Sequence, residues 1–197
     1  MKKVIIATKN EGKAREFKEM FLKYELEGYS LLDLNEPVED IEETGMTFEE
    51  NALIKAEAIA RQFSLPVVAD DSGLEVDALN GAPGIYSARY AGIEKDDQKN
   101  IDKLLSELKG VEKEKRTARF VCAIAIARPD SDSLVERGTC EGSIAEKQEG
   151  SQGFGYDPVF IPKGESRTMA EHTSEEKNAI SHRKNAILKI EKWLSDL

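Results

Sequence analysis

Apolar and polar positions along this chain follow two periods, and the switches between them outline an α/β protein. Val4-Ile5-Ile6-Ala7 is a continuous apolar run of the kind a buried strand shows. Ala14, Phe17, Met20, Phe21 and Tyr24 then recur at helical spacing, so the chain opens as strand, tight loop, helix. A second strand is expected over Tyr29 to Leu34, followed by an acidic loop from Glu36 to Glu43 that carries Pro37. Thr47-Phe48-Glu49-Glu50 has capping-box spacing, and Leu53, Ala56, Ile59, Ala60 and Phe63 form the apolar stripe of the helix that follows. Pro66 to Ala69 reads as a buried strand ending at Asp70-Asp71-Ser72-Gly73, and Leu74 to Gly92 as a folded loop region. Ile101, Leu104, Leu105 and Leu108 line one side of a helix over Asp97 to Leu108. Two long strands, Ala118 to Ala127 and Ser133 to Gln148, flank a turn at Pro129 to Asp132. A final helix is expected over Glu175 to Leu197, with Ala179, Ala186, Ile187, Ile190 and Trp193 on its inner face. Helical crossovers beside a long hairpin imply a mixed sheet with flanking helices.

Composition narrows the class. A chain of 197 residues fits one domain, or one domain with a large lobe, and is long enough to bury most of its apolar surface. No apolar run approaches the roughly 20 residues of a membrane span, and Val4 to Ala7 is too short for the core of a secretory signal. A soluble, cytoplasmic protein without membrane partners is expected. Cys122 and Cys140 lie inside expected strands without CxxC spacing, and read as buried free thiols. The net charge of −10 excludes a broad nucleic-acid-backbone binder, which needs a basic face. Such a chain still binds polyphosphate if a few cations are concentrated at one place and a divalent metal offsets the field.

Four segments carry candidate chemistry. The strand that delivers Thr8, Asn10 and Gly12 to a helix start brings backbone N–H groups, side-chain donors and a positive dipole end together, which makes an anion site. Lys13 in that first turn opposes the dipole, and a bound phosphate would remove that cost; a solvated Lys after an ordinary turn is the plain alternative. Asp70-Asp71 stands at the C-terminal end of a buried strand, where α/β proteins place ligands, although Asp-Asp-Ser-Gly is also good turn chemistry. Adjacent strand residues point to opposite faces, so one of the two aspartates is expected in the site. In Gly153-Phe154-Gly155-Tyr156-Asp157-Pro158 the glycines allow close backbone approach, Phe154 offers a stacking face and Asp157 an acceptor; alternatively Phe154 and Tyr156 belong to the core. Lys177 and Ser181-His182-Arg183 lie one to two turns apart on the final helix, and are either donors to one ligand or a solvated cationic face.

Together these segments carry a resemblance. Thr8-x-Asn10-x-Gly12-Lys13, Thr47-Phe48-x-Glu50-Asn51-Ala52, Ala69-Asp70-Asp71-Ser72-Gly73-Leu74, Gly81-Ala82-Pro83-Gly84-Ile85-Tyr86-Ser87-Ala88-Arg89-Tyr90, Gly153-Phe154-Gly155-Tyr156-Asp157-Pro158 and Ser181-His182-Arg183 resemble, in order, the motifs of the inosine triphosphate pyrophosphatase family. The resemblance implies an elongated mixed sheet with two lobes around a nucleotide-binding cleft, in a homodimer. It also implies Mg²⁺-dependent hydrolysis of ITP, dITP and XTP to the monophosphate and pyrophosphate. By that resemblance Thr8, Lys9, Asn10, Glu11, Gly12 and Lys13 hold the triphosphate, and Asp71 is proton acceptor and metal ligand. Glu42, with Glu43 beside it, is the second metal ligand; Ser72, Phe154, Gly155, Tyr156, Asp157, Lys177, His182 and Arg183 contact the nucleotide. Position 9, usually Gly in that family, is Lys here.

The base edges differ: hypoxanthine and xanthine present a 6-oxo acceptor where adenine presents an amino donor. A buried donor such as Arg183 or His182 at that edge would therefore reject ATP. Two rival readings are a pyrophosphatase acting on pyrimidine or modified nucleotides and a non-catalytic nucleotide sensor. The first does not need the Ser181-His182-Arg183 donors, and the second does not need the acidic pair.

Overall fold

The computed structural model describes residues 2–36, 38–129 and 131–195; Pro37 of the acidic loop, Asp130 of the expected turn and the last two positions of the expected final helix lie outside the described residues. Its strands are β1 (Lys2–Ile6), β2 (Leu26–Ser30), β3 (Val67–Val76), β4 (Thr117–Arg128), β5 (Ser131–Ile144) and β6 (Phe160–Pro162). They form one mixed sheet in the order β2-β1-β3-β4-β5-β6. β1 runs parallel to both β2 and β3, whereas β5 and β6 are antiparallel. The helices are α1 (Glu11–Phe21), α2 (Phe48–Phe63), α3 (Asp97–Glu107), α4 (Ser174–Ile180), α5 (His182–Lys189) and α6 (Glu191–Ser195).

The chain divides into two compact units, the first made of residues 1–71, 122–138 and 183–197 and the second of 72–121 and 139–182. In the first, Val4, Ile6, Phe17, Phe21, Leu26, Val68, Ile124, Ile126 and Ile187 form an apolar core. Each such buried side chain contributes about 1.5–3 kcal/mol, which offsets the cost of the ionised groups buried in the same unit. In the second, Leu74, Leu104, Leu108, Phe120, Phe160 and Met169 pack together, with the Phe120 and Phe160 rings 4.4 Å apart.

Several expected elements shift. The second strand occupies Leu26–Ser30, earlier than Tyr29 to Leu34, because Asp33 closes a capping box on Ser30 and turns the chain into a 3-10 helix over Leu31–Asp33. β3 does not end at the acidic pair. It continues through Asp70-Asp71-Ser72-Gly73 to Val76, so those residues form no turn. Buried aspartates are tolerated mid-strand here because each has cationic or amide partners. β5 stops at Ile144, short of Gln148. The expected final helix is three helices, interrupted at Ser181, whose φ of −71° and ψ of 156° are extended, and again at the turn residue Ile190. α4 accordingly turns Ala179 outward and Lys177 inward. Both cysteines are free and buried, as their setting implied.

Candidate active site

The loop after β1 is built to leave donors for an anion. Asn10 caps α1, its Oδ1 accepting from Lys13 N–H at 2.9 Å, and Thr8 Oγ1 accepts from Asn10 N–H at 3.1 Å. These bonds set the loop so that Glu11 and Gly12 carry first-turn N–H groups without intrahelical partners at the positive end of the helix. The Lys13 ammonium does not face water: it lies 3.0 Å from Asp70 Oδ2. Lys9 turns away instead, donating to Val38 O at 3.0 Å and meeting Asp40 at 2.6 Å, and so ties the acidic loop to this one.

The two aspartates of β3 have different partners, as strand alternation requires. Asp70 meets Lys13 and, at 3.7 Å, Arg183 Nη2; Arg183 in turn meets Glu16 Oε2 at 2.7 Å. Asp71 accepts from Asn51 Nδ2 at 3.2 Å and lies 3.7 Å from Lys55 Nζ. Asn51, buried on α2, also accepts from Gly45 N–H at 2.8 Å, which fixes the orientation of its amide. A Cβ at Gly45 would stand 2.7 Å from Asn51 Oδ1, so this close approach needs glycine. Lys55 Nζ further donates to Asp70 main-chain O at 2.6 Å and meets Glu43 Oε1 at 2.8 Å.

Charge is unevenly shared within this cluster. Burial raises the Asp71 carboxyl above the usual carboxylate range; Lys55 and Lys13 pull it down, Glu43 and Asp70 push it up, and the net shift is upward. Burial acts against the Lys55 ammonium, but Asp71, Asp70 and Glu43 outweigh it and hold its pKa above the ordinary lysine value. The Asp71 rise is thus mainly a burial effect that the neighbouring acids add to, whereas the Lys55 rise comes from the acids that converge on its ammonium. Among the described residues no group of three or more His, Cys, Asp or Glu forms a metal cage. The oxygens around Lys55, two carboxylates and a carbonyl, are nevertheless the donor type that a hard divalent cation takes when phosphate completes its shell.

In the second unit, Asp157 organises the glycine-rich turn. Its Oδ2 accepts from Phe154 N–H at 2.9 Å and from Lys177 Nζ at 2.6 Å, and the Lys177 ammonium lies 4.5 Å from the Phe154 ring centroid. Gly153 has φ +78°, and a Cβ there would run into the Asp157 carboxylate. Gly155 N–H donates to Asp97 at 2.8 Å. Tyr156 is a core residue whose hydroxyl donates to Ser87 O at 2.7 Å. His182 is buried with its ring stacked on Phe120 at 5.0 Å.

The structure thus brings Thr8, Asn10, Lys13, Asp71 and Arg183 into the first unit with Asp70, and Phe154, Asp157 and Lys177 into one set in the second. Ser72 follows Asp71 on β3, half-buried. Of the two acidic-loop glutamates, Glu43 reaches the cluster through Lys55 while Glu42 is exposed. Lys55, Glu16, the role of Asn51 within its motif and the pairing of Asp70 are not legible from the motifs. A signal existed for two of them: Asn51 and Lys55 fall in register with Phe48, Ala52, Ala56 and Ile59, polar residues on an apolar stripe.

Comparison with known proteins is consistent along the whole chain. The Ham1 family model matches residues 4–193. The dITP/XTP pyrophosphatase of Oceanobacillus iheyensis is 58% identical over 194 residues, 98% of either chain. That of Bacillus subtilis is 57% identical over 196 residues, again 98% of each. A solved structure of the Staphylococcus aureus Ham1 protein is similar with a TM-score of 0.86 at 47% identity, covering 99% of both chains. One of a HAM1 protein from Coxiella burnetii gives 0.86 at 42%, covering 100% of both.

Proposed function

The chain belongs to the Ham1 family, and we infer that it hydrolyses non-standard purine nucleoside triphosphates such as dITP and XTP to the monophosphate and pyrophosphate. The observation that carries this reading is Asp71, a buried carboxylate with a raised proton affinity in the same unit as a phosphate-type helix start. The whole chain acts as one pyrophosphatase domain.

In the reaction, the first-turn N–H groups of α1, the side chains of Thr8 and Asn10, and Lys13 receive the triphosphate. Lys13 leaves Asp70 for phosphate, and Arg183 keeps the Asp70 carboxylate compensated as it does so. Asp71, with Asn51 holding one of its oxygens, orients a water and takes its proton; a raised pKa brings a carboxylate closer to the working pH of a general base. Mg²⁺ is the cofactor of this reading: Asp71 and a carboxylate of the Glu42–Glu43 pair would hold it, and it would supply charge neutralisation at the phosphates. Phe154 stacks on the base, and Lys177 supplies a donor suited to a 6-oxo edge. Asp157 already takes Phe154 N–H and Lys177, so it shapes the base pocket more than it contacts the base. Arg183 acts beside Asp70 and Glu16 rather than at the base edge. His182, stacked on Phe120, remains the second donor of this reading. The enzyme is a cytoplasmic homodimer that takes a small nucleotide and neither nucleic acid nor membrane.

Pyrophosphate release measured on dITP, ITP, XTP, dATP, dGTP, dTTP and UTP, with Mg²⁺ and with chelator, tests the whole reading. Release is expected from the first three only, and only with metal. Preferential release from a pyrimidine nucleotide would move the assignment to the related pyrimidine reading, and no release from any would leave a sensor.

A further inference from the structure

Two segments, the acidic loop and β3, aim three oxygens at one side chain. Lys55 stands one helical turn after Asn51 on α2, its side chain 14% exposed. Its ammonium lies 2.8 Å from Glu43 Oε1, 2.6 Å from the main-chain oxygen of Asp70 and 3.7 Å from Asp71 Oδ1. An ammonium offers three donors and one positive charge; here two oxygens lie at hydrogen-bond distance and a third at ion-pair distance, and all three also suit a hard divalent ion. The stem is flexible and the head is a compact point charge, so the group can exchange one set of anions for another without moving the backbone.

We propose that Lys55 is a built-in competitor for the divalent cation: in the nucleotide-free protein its ammonium holds the oxygens of Asp71 and the acidic loop, and it gives them up when a triphosphate arrives. This rests on the reading of Asp71 as a metal ligand. The two positive charges cannot share one carboxylate pair at close range without repulsion. A nucleotide supplies the alternative anion, so the ammonium turns to phosphate and the metal takes the vacated oxygens. Metal and nucleotide then bind with positive coupling, and by linkage each strengthens the other to the same degree. The free enzyme keeps its general base neutralised by a group that costs nothing to recruit, and a stray divalent ion finds no high-affinity site.

The test is a titration of nucleotide-free protein with Mn²⁺, following free Mn²⁺ by electron paramagnetic resonance. Wild type is expected to bind weakly. Lys55→Met, with Lys55→Gln as the second variant should the first melt early, is expected to bind one Mn²⁺ at least tenfold more tightly, and adding Asp71→Asn should remove that gain. On the wild-type protein itself, Mn²⁺ at saturating concentration should speed acylation of the Lys55 amine severalfold, read by peptide mass spectrometry, because the metal expels it from its oxygens. Equal or weaker Mn²⁺ binding in both Lys55 variants, or an acylation rate that Mn²⁺ leaves unchanged, would overturn the competitor role while leaving the hydrolase reading intact. Tight binding in Lys55→Met that survives Asp71→Asn would instead overturn the metal-ligand reading beneath it.

Discussion

Neutralising the two adjacent aspartates one at a time should give opposite results. Asp70 is 2% exposed and holds Lys13 at 3.0 Å and Arg183 at 3.7 Å. Asp70→Asn leaves both cations buried with less compensation, and removing one partner of a buried pair costs about 3–5 kcal/mol. Glu16 stays on Arg183 at 2.7 Å, which argues for the lower end, about 3 kcal/mol. At about 2–4 °C per kcal/mol for a chain of this size, the unit that contains Asp70 should melt about 6–12 °C lower. Asp71 differs, because burial already disfavours its charge. Asp71→Asn removes a charge the site resists, so the melting temperature should stay level or rise, as is common where a strained functional group is relieved. Turnover should fall by about 10²–10⁴, the usual worth of a general base and equivalent to about 3–5 kcal/mol of barrier. Calorimetric melting and pyrophosphate release on dITP, run on both variants, check the pair. An Asp71→Asn enzyme within tenfold of wild-type turnover, or an Asp70→Asn protein that melts unchanged, would refute the division of labour.

Phe154→Ala should raise KM for dITP with the fold intact, since one stacked base is worth about 1–3 kcal/mol; steady-state kinetics beside a melting curve decides it. Gly153→Ala should be worse than a surface substitution, by about 1–3 kcal/mol, because φ is +78° and the new Cβ meets the Asp157 carboxylate; a melting temperature equal to wild type would contradict that contact. Asp33 is held at a pKa of about 2 by its hydrogen bonds to Lys18 and Ser30. Because that pKa is depressed, its stabilising contribution is full above about pH 4 and lost as pH falls through about 2. Melting curves of wild type and Asp33→Asn should therefore converge over that interval, by a small amount since the group is partly exposed.

Periodicity reads the first strand, the first three helices and the two long strands because in each the apolar positions recur at a regular spacing that no single residue interrupts. It failed where one residue decides. Ser181 is a single extended residue between helices whose flanking positions keep a helical rhythm, so α4 and α5 look like one helix. It failed again at β3, where Asp-Asp-Ser-Gly has good turn chemistry in isolation and yet runs on as strand, because Lys13, Asn51 and Lys55 arrive from distant segments to satisfy the carboxylates. Strand alternation puts one member of the acidic pair in the site and the motif resemblance implies Asp71, but the partners that set the two apart depend on what packs against each face and are legible only in the fold. Lys55 is illegible for the complementary reason: a lysine on an amphipathic helix is ordinarily solvated, and only the approach of Glu43 and the Asp70 carbonyl surrounds it with acceptors.

The charge carried by this cluster also explains why a metal belongs in the reading. In the described ion pairs Lys13, Lys55 and Arg183 face Asp70, Asp71, Glu43 and Glu16, three cations to four carboxylates. Lys9 does not alter that balance, because Asp40 neutralises it, and the exposed Glu42 makes it more negative. The chain as a whole carries −10. A triphosphate entering such a site would be repelled if the lysines merely stayed on their acids, and releasing them toward phosphate strands the carboxylates instead. Rearranging resident charges therefore solves only half of the problem. The other half calls for positive charge from outside, and on the proposed function a divalent cation bound with the phosphates would supply it at the oxygens that Lys55 holds in the nucleotide-free protein.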